Sequence, residues 1–319
     1  MPEAAPQPPV LVTGAAGFIG SLLAQRLLEN GRQVIGLDIR KPAERPPNLT
    51  FHEMDLSRPL NPELLAARPI KTVVHLAFQM REGRSGGEAE KIRLANLECL
   101  HNVMEASVTA GANEFIYLSS HTVYGARREN PVPITEDYKS KPLVGFQYSM
   151  TKALSEQALW DFHRQHPELN ITILRCCMVM GPGEGYVARA LNKPLLLMVS
   201  GYNPPIQFIH GQDLARLLAW FCDNPVPGVF NVAGNGALPY SDVARILGKK
   251  AVTLPSFLAY PLVQAAWRLG LQKEASRGGL DLVRYPIVLS TDKLLKNTGF
   301  QCQYASEGAL RAYVESRSR

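Results

Sequence analysis

Val10-Leu11-Val12-Thr13-Gly14-Ala15-Ala16-Gly17-Phe18-Ile19-Gly20 is the stretch that decides the fold. Val10–Thr13 reads as a buried strand. A glycine-rich turn follows it. Phe18–Asn30 then carries Phe18, Ile19, Leu22, Leu23 and Leu27 at helical spacing, and Gly31 stops the helix at its C′ position. A glycine turn between a strand and a helix is the context of a phosphate loop. Gly14 allows the tight turn, Gly17 lets a pyrophosphate approach the backbone, and Gly20 lets the helix pack close to the sheet. The helix start at Phe18 and Ile19 offers free N–H groups and the positive end of a dipole. The spacing is GxxGxxG rather than GxGxxG, and an ordinary strand-to-helix turn is the competing reading.

Outward from this loop the pattern repeats. Gln33–Asp38, Leu49–Met54, Thr72–Ala77, Phe115–Ser119 and Ile171–Arg175 read as further strands. Ile92–Ala110 and Gln147–His166 are long helical stretches between the later ones. Fully apolar strands alternating with helices mean an α/β fold, a doubly wound parallel sheet covered on both faces, with ligands at the carboxyl ends of the strands. Residues 1–9 form a proline-rich tail and residues 10–180 a Rossmann domain, to which 206–234 returns. Residues 181–319 supply mainly a smaller substrate lobe. Its helical pieces lie near Asp213–Asp223, Tyr240–Leu247 and Pro261–Leu269, and Asp292–Val314 reads as returning helices.

Asp38 ends the second strand, and a carboxylate there accepts hydrogen bonds from the adenosine ribose hydroxyls and repels a 2′-phosphate. That favours NAD over NADP, although Arg40 and Lys41 just beyond soften the repulsion. Asp55 follows the third strand and is a candidate for the adenine edge, or an exposed loop carboxylate.

Composition excludes several classes. Of 319 residues 46% are apolar and 19% charged, the balance of an ordinary globular protein. The net charge of +6 comes without a run of basic residues, so no nucleic-acid or polybasic membrane footprint is present. The five cysteines show no CxxC and no ligand spacing, and no metal is expected. The N-terminal residues lack a positive region and an apolar core, and no apolar stretch approaches the ~18 residues of a membrane span. These features point to a cytoplasmic protein that does not enter a membrane.

Tyr148-Ser149-Met150-Thr151-Lys152 sets a phenol and an ammonium one helical turn apart on one face. A phenol with pKa ~10 is a poor base at neutral pH, but one cation at ~4 Å in an effective dielectric of ~20 is worth ~4 kcal/mol, enough to bring Tyr148 into working range. Phe115-Ile116-Tyr117-Leu118-Ser119-Ser120-His121-Thr122-Val123-Tyr124-Gly125 is a strand running into a hydroxyl-rich turn, where a hydroxyl can polarise a carbonyl oxygen.

The glycine loop, the acid after the second strand, the Ser-Ser-x-x-Val-Tyr-Gly turn and the YxxxK helix occur in the order of the NAD-dependent epimerase/dehydratase family, the extended short-chain dehydrogenase/reductases. Lesser matches extend the resemblance over residues 10–314: Val74-His75-Leu76-Ala77, Asn96, Leu174-Arg175 with Gly181-Pro182-Gly183, Phe208-Ile209-His210 with Asp213, and Phe230-Asn231-Val232. The resemblance implies Tyr148 as acid or base, Lys152 as its cofactor-binding and pKa-lowering partner, and Ser120 as the hydroxyl that holds the substrate oxygen. It further implies cofactor contacts at Asp55, Leu56, Leu76, Ala77, Asn96, Ser119 and Cys176. It implies a homodimer through the helices Ile92–Ala110 and Gln147–His166, and a small substrate with a hydroxyl or keto group.

The chain departs from the family at several places. The acidic pair of the sugar 4,6-dehydratases is replaced by His121 and Thr122; His121 reads either as a second acid or base or as a satisfied loop histidine. Met178 stands where nucleotide-sugar members often have asparagine, and Arg284-Tyr285-Pro286-Ile287 lacks their Gly-Asp. Phe257, Leu258, Tyr260, Leu262 and Trp267 form either a lobe core or a pocket for a less polar substrate. Three functions remain open: an epimerase acting on a sugar or nucleotide sugar, a simple NAD(P)-dependent dehydrogenase or reductase of a less polar alcohol or ketone, and a non-catalytic NAD-binding sensor or scaffold.

Overall fold

The computed structural model describes residues 7–61, 69–81, 83, 85–181, 188, 191–271 and 277–317. Residues 1–6 of the expected tail, and Pro182 and Gly183 of the family-like segment, lie outside the described residues.

Seven strands form one parallel sheet: β1 (Val10–Thr13), β2 (Val34–Asp38), β3 (Leu49–Glu53), β4 (Thr72–His75), β5 (Glu114–Ser120), β6 (Asn170–Cys176) and a late strand, Gly228–Val232. Their spatial order is Gly228–Val232, β6, β5, β4, β1, β2, β3. The order reverses beside β1, which opens the crevice where such sheets bind ligands.

Both faces are covered, as the apolar strands require. Alternate residues of one strand serve opposite cores. Val10, Val12, Val74, Ile116 and Leu174 pack against α1 (Phe18–Glu29) and a helix at Gly211–Asp223, through Leu23, Leu27, Leu214 and Phe221. Leu11, Val73, Phe115, Tyr117 and Ile173 pack against α2 (Gly86–Thr109) and α3 (Gln147–Gln165), through Leu100, Val103, Leu159 and Phe162. β3 at the edge is only partly buried.

β7 (Met178–Met180) follows β6 and pairs with β10 (Phe208–His210); β9 (Pro205–Ile206) pairs with β12 (Leu238–Pro239), and β8 (Leu195–Val199) with β13 (Lys250–Leu254). In this numbering α4 is Gly211–Asp223 and β11 is Gly228–Val232. Met180, Leu196, Phe208, Tyr240, Val243, Leu310 and Tyr313 form a separate core, drawing on α5 (Tyr240–Ile246) and the last helix, Ser306–Arg317.

The differences from the sequence reading have local causes. α2 starts six residues before Ile92. Ser85 caps it by accepting from the Glu88 amide at 3.2 Å, in a first turn whose Gly86 and Gly87 hide the apolar period. α6 (Ser256–Arg268) starts before Pro261, which sits inside it and removes one helical hydrogen bond. Asp292–Val314 is two helices, α7 (Asp292–Thr298) and α8 (Ser306–Arg317), broken at Gly299.

The phosphate loop is held by steric fit. Gly14 has φ +70, and a Cβ there would meet the Ala77 nitrogen at 2.8 Å. A Cβ on Gly20 would lie 2.0 Å from the Gly14 carbonyl oxygen. Gly20→Ala is therefore expected to destabilise the fold by about 2 kcal/mol or more in urea unfolding. Gly87→Ala, with open space at its Cβ, should leave stability unchanged or raise it by a few tenths of a kcal/mol.

Candidate active site

The loop after β1 is a backbone cradle. The Gly14 amide donates to Leu37 O at 2.8 Å and the Gly17 amide to Gly14 O at 2.9 Å. Gly17 is the N-cap of α1, so no side chain caps the first-turn amides at Phe18 and Ile19. Asp38 is buried; one carboxylate oxygen accepts from the Ala16 amide at 3.0 Å and the other from the Arg40 amide at 3.1 Å. Each oxygen keeps a lone pair for a further donor. The Leu76 and Ala77 amides both donate to Thr13 Oγ1 at 3.2 Å, which sets them as the wall facing Gly14. An uncapped helix start, a Cβ-free cradle and a buried carboxylate at the next strand end fit a dinucleotide.

The other cofactor candidates are placed as follows. Asn96 closes the loop after β4, accepting from the Gln79 amide at 2.7 Å and donating to Gln79 O at 3.2 Å. Asp55 is exposed beyond β3, and its carboxyl is held below its usual value by donation from the Ser57 hydroxyl and amide. Leu56 is core. Ser119 donates to the Glu156 carboxylate. Cys176 ends β6, and its carbonyl oxygen lies 3.1 Å from His121 Nδ1.

Ser120 and Tyr148 come together at the end of β5. Ser120 Oγ accepts from the Thr122 amide at 3.2 Å and the Thr122 hydroxyl at 3.0 Å. Its own proton is left for the Tyr148 phenol, with which it hydrogen-bonds. Ser149 anchors this turn of α3, donating to Thr122 O at 2.7 Å. His121 is neutral: burial lowers it to about 4, against its bond to Cys176 O.

The Lys152 ammonium hydrogen-bonds to the sheet, although its spacing sets it on the same helix face as Tyr148. Its Nζ donates to Leu118 O at 2.7 Å and to the Tyr117 hydroxyl at 3.2 Å. The rings of Phe78, Tyr117 and Tyr148 surround it at 4.1, 4.6 and 6.0 Å. The stem starts on the face of Tyr148, but the ammonium is drawn to the sheet, where a carbonyl and a hydroxyl satisfy it. Burial then dominates both groups. It pushes the Tyr148 phenol up to about 12, against the Ser120 bond, and pulls Lys152 down to about 7, against the nearby Glu156 carboxylate.

The sequence reading missed Glu156, one turn beyond Lys152. Its carboxylate takes the Ser119 hydroxyl and pairs with Arg175 at 2.8 Å. Arg175 also donates to the Tyr124 hydroxyl at 2.9 Å, which donates to Asn231 Oδ1 at 2.8 Å. The signal lay in the i, i+4, i+8 row Tyr148, Lys152, Glu156 on a helix face that is largely buried. Gln147 was missed too: it bonds Gly83 N at 3.0 Å and Ala89 O at 2.6 Å, tying α3 to the loop that carries Phe78.

Residues 10–233 match the NAD dependent epimerase/dehydratase family. An uncharacterized protein of Mycobacterium tuberculosis is 27% identical over 315 residues, covering 97% of this chain and 84% of that protein. The UDP-glucose 4-epimerase of Erwinia amylovora is 33% identical over 188 residues, 55% of this chain and 54% of that enzyme. Among solved structures, MoeE5 in complex with UDP-glucuronic acid and NAD is 25% identical with a TM-score of 0.77, covering 97% of this chain and 99% of that one.

Proposed function

The chain belongs to the NAD dependent epimerase/dehydratase family, and on that premise we propose that it moves a hydride at a secondary alcohol or ketone carbon, with Tyr148 as proton carrier. The contact between the Ser120 hydroxyl and the Tyr148 phenol at the carboxyl end of β5 carries this reading. Bound NAD supplies the acceptor and donor of the hydride. Gly14, Gly17, the amides of Phe18 and Ile19, and Asp38 would hold it, and Lys152 would meet its ribose. In oxidation the substrate O–H bond breaks and its proton passes to the Tyr148 oxygen as the C–H bond gives up hydride; reduction returns both. With its phenol raised to about 12, Tyr148 carries its proton at neutral pH and is set to deliver it to a ketone oxygen. The reverse step requires that proton to leave first, and donation from Ser120 favours the phenolate.

The Erwinia amylovora relative is a UDP-glucose 4-epimerase and MoeE5 binds UDP-glucuronic acid, which supports an epimerase of sugar or nucleotide-sugar type. A second reading, net dehydrogenation or reduction of a less polar alcohol or ketone, is favoured by Met178, a partly buried apolar side chain at the start of β7. The sensor reading requires the Tyr148 and Ser120 pair to be idle.

Tyr148→Phe is expected to lower kcat about 10²- to 10⁴-fold while NAD still binds. NADH absorbance and product stereochemistry over an alcohol and sugar panel measure this; turnover undiminished in Tyr148→Phe sinks the proposal.

The NAD affinity should follow Lys152. Its ammonium is present below about 7 and lost above it, so binding weakens as pH rises through that value. Titration calorimetry from acid to alkaline pH checks this, and Lys152→Met should flatten the curve.

The exposed faces of α2 and α3 are the proposed contact between two copies. Light scattering at micromolar concentration should give a dimer mass; a monomer mass counts against it.

A further inference from the structure

The C-terminal lobe contains a cleft of about 1050 Å³, at the upper limit of a small-molecule site. One wall is a single stripe of α6: Phe257, Tyr260, Pro261, Gln264, Arg268 and Leu269 recur at helical spacing along it. The other wall is Asp281 and Arg284.

The helix is the wrong shape for a lobe core. Of the aromatic and apolar residues that the sequence offered for one, Trp267 is buried, but Phe257 is 73% exposed and Leu262 55%. Leu258, Leu269 and Leu271 are exposed as well. Scattered apolar residues on a surface are normal, but five within fifteen residues mark a contact site, and two of them, Phe257 and Leu269, line the cleft.

The opposite wall is polar and positive. The Arg284 guanidinium lies over Tyr202 at 4.5 Å, Tyr285 at 4.8 Å and Tyr260 at 5.6 Å. It donates to the Tyr260 hydroxyl at 3.2 Å and the Tyr202 hydroxyl at 3.0 Å, and its buried Nε has no partner. Those acceptors are phenols, and the Arg284 bond lowers the Tyr202 hydroxyl from its ordinary value. Among the described residues no carboxylate stands within ion-pair distance of it. The Asp281 carboxylate is engaged by the Tyr260 hydroxyl instead. Among the described residues the charged lining, Arg268, Arg284 and Asp281, sums to one net positive charge. A guanidinium fixed on aromatic faces without an acid suits an anionic, planar or tetrahedral group.

The segment that carries the polar wall also reaches the reactive turn. Asp281 and Arg284 stand at the end of a segment whose Gly278 packs so tightly that a Cβ would lie 2.6 Å from Gly145 O and 3.0 Å from the Phe146 nitrogen. Phe146 is the N-cap of α3, two residues before Tyr148.

We propose that this cleft binds an anionic amphiphile, with a phosphate or carboxylate group against Arg284 and an alkyl or prenyl chain along the apolar face of α6. This deepens the hydride-transfer reading by naming a substrate class, and it rests on that reading only in calling the ligand a substrate.

Titration calorimetry of the full chain with dodecyl phosphate below its micelle concentration tests it, with inorganic phosphate and an uncharged dodecyl glycoside as comparisons. Dodecyl phosphate should bind at least about tenfold more tightly than either. Arg284→Met should cost about tenfold for dodecyl phosphate and little for the glycoside. Leu269→Glu, at a surface position that cannot unfold the chain by leaving a cavity, should weaken both dodecyl ligands and leave inorganic phosphate unchanged. Tyr148→Phe should bind the probe as the wild type does, so loss of turnover and loss of this site are read separately. Equal binding of dodecyl phosphate and inorganic phosphate overturns the proposal, as does indifference to both cleft substitutions. Capture on anionic vesicles that Arg284→Met leaves intact, without binding of the monomeric probe, overturns it in favour of a membrane-facing helix.

Discussion

The pairing of Glu156 with Arg175 holds the reactive end of the molecule together. Both side chains are about nine-tenths buried or more, one on α3 and one on β6. Two charges in that position are costly to desolvate, and removing either partner would leave the other uncompensated, at about 3–5 kcal/mol. Glu156 also takes the Ser119 hydroxyl, and Arg175 reaches Tyr124 just beyond the serine turn. One ion pair therefore fixes α3, β5 and β6 to each other where Ser120 and Tyr148 must meet. Asn231 on β11 extends the network, accepting from the Tyr124 hydroxyl and donating to Ile134 O at 3.0 Å.

Within that frame the environment opposes charge. Tyr148 is raised and Lys152 lowered by the same cause, burial, and each is pulled back by one local partner. The buried His75 is driven down to about 3 by burial and by Lys152, so it adds no cation. Aromatic rings on three sides of Lys152 give the ammonium a partial substitute for water. The site thus holds a neutral phenol and a weakly held proton on the amine. Proton movement there starts from Tyr148 as donor.

How far the chain could be read in advance depended on the range of the interactions involved. The glycine loop and the strands around it were legible because each rests on residues adjacent in sequence: a run of apolar residues, a turn that excludes Cβ atoms, a helix period. The meeting of Ser120 with Tyr148 was legible only through resemblance, since 28 positions separate them. That Ser119 bonds Glu156 and Asn96 bonds Gln79 was not legible, because which neighbour a hydroxyl or amide satisfies is set by packing. The exposure of Phe257 was hidden for the same reason: an apolar helix reads alike whether its face is buried or open.

By itself, the sequence determined the parallel α/β sheet, the phosphate loop with Asp38 beyond it, and the i, i+4 placement of Tyr148 and Lys152. All follow from local periodicity and backbone sterics, which act over a few residues. Only the tertiary structure decided where the Lys152 ammonium points, which acid sits beneath it, and that one face of α6 opens on a cleft with Arg284 opposite. These depend on which groups from distant segments compete for the same donors and on how much water reaches them, and neither is written in the order of neighbouring residues.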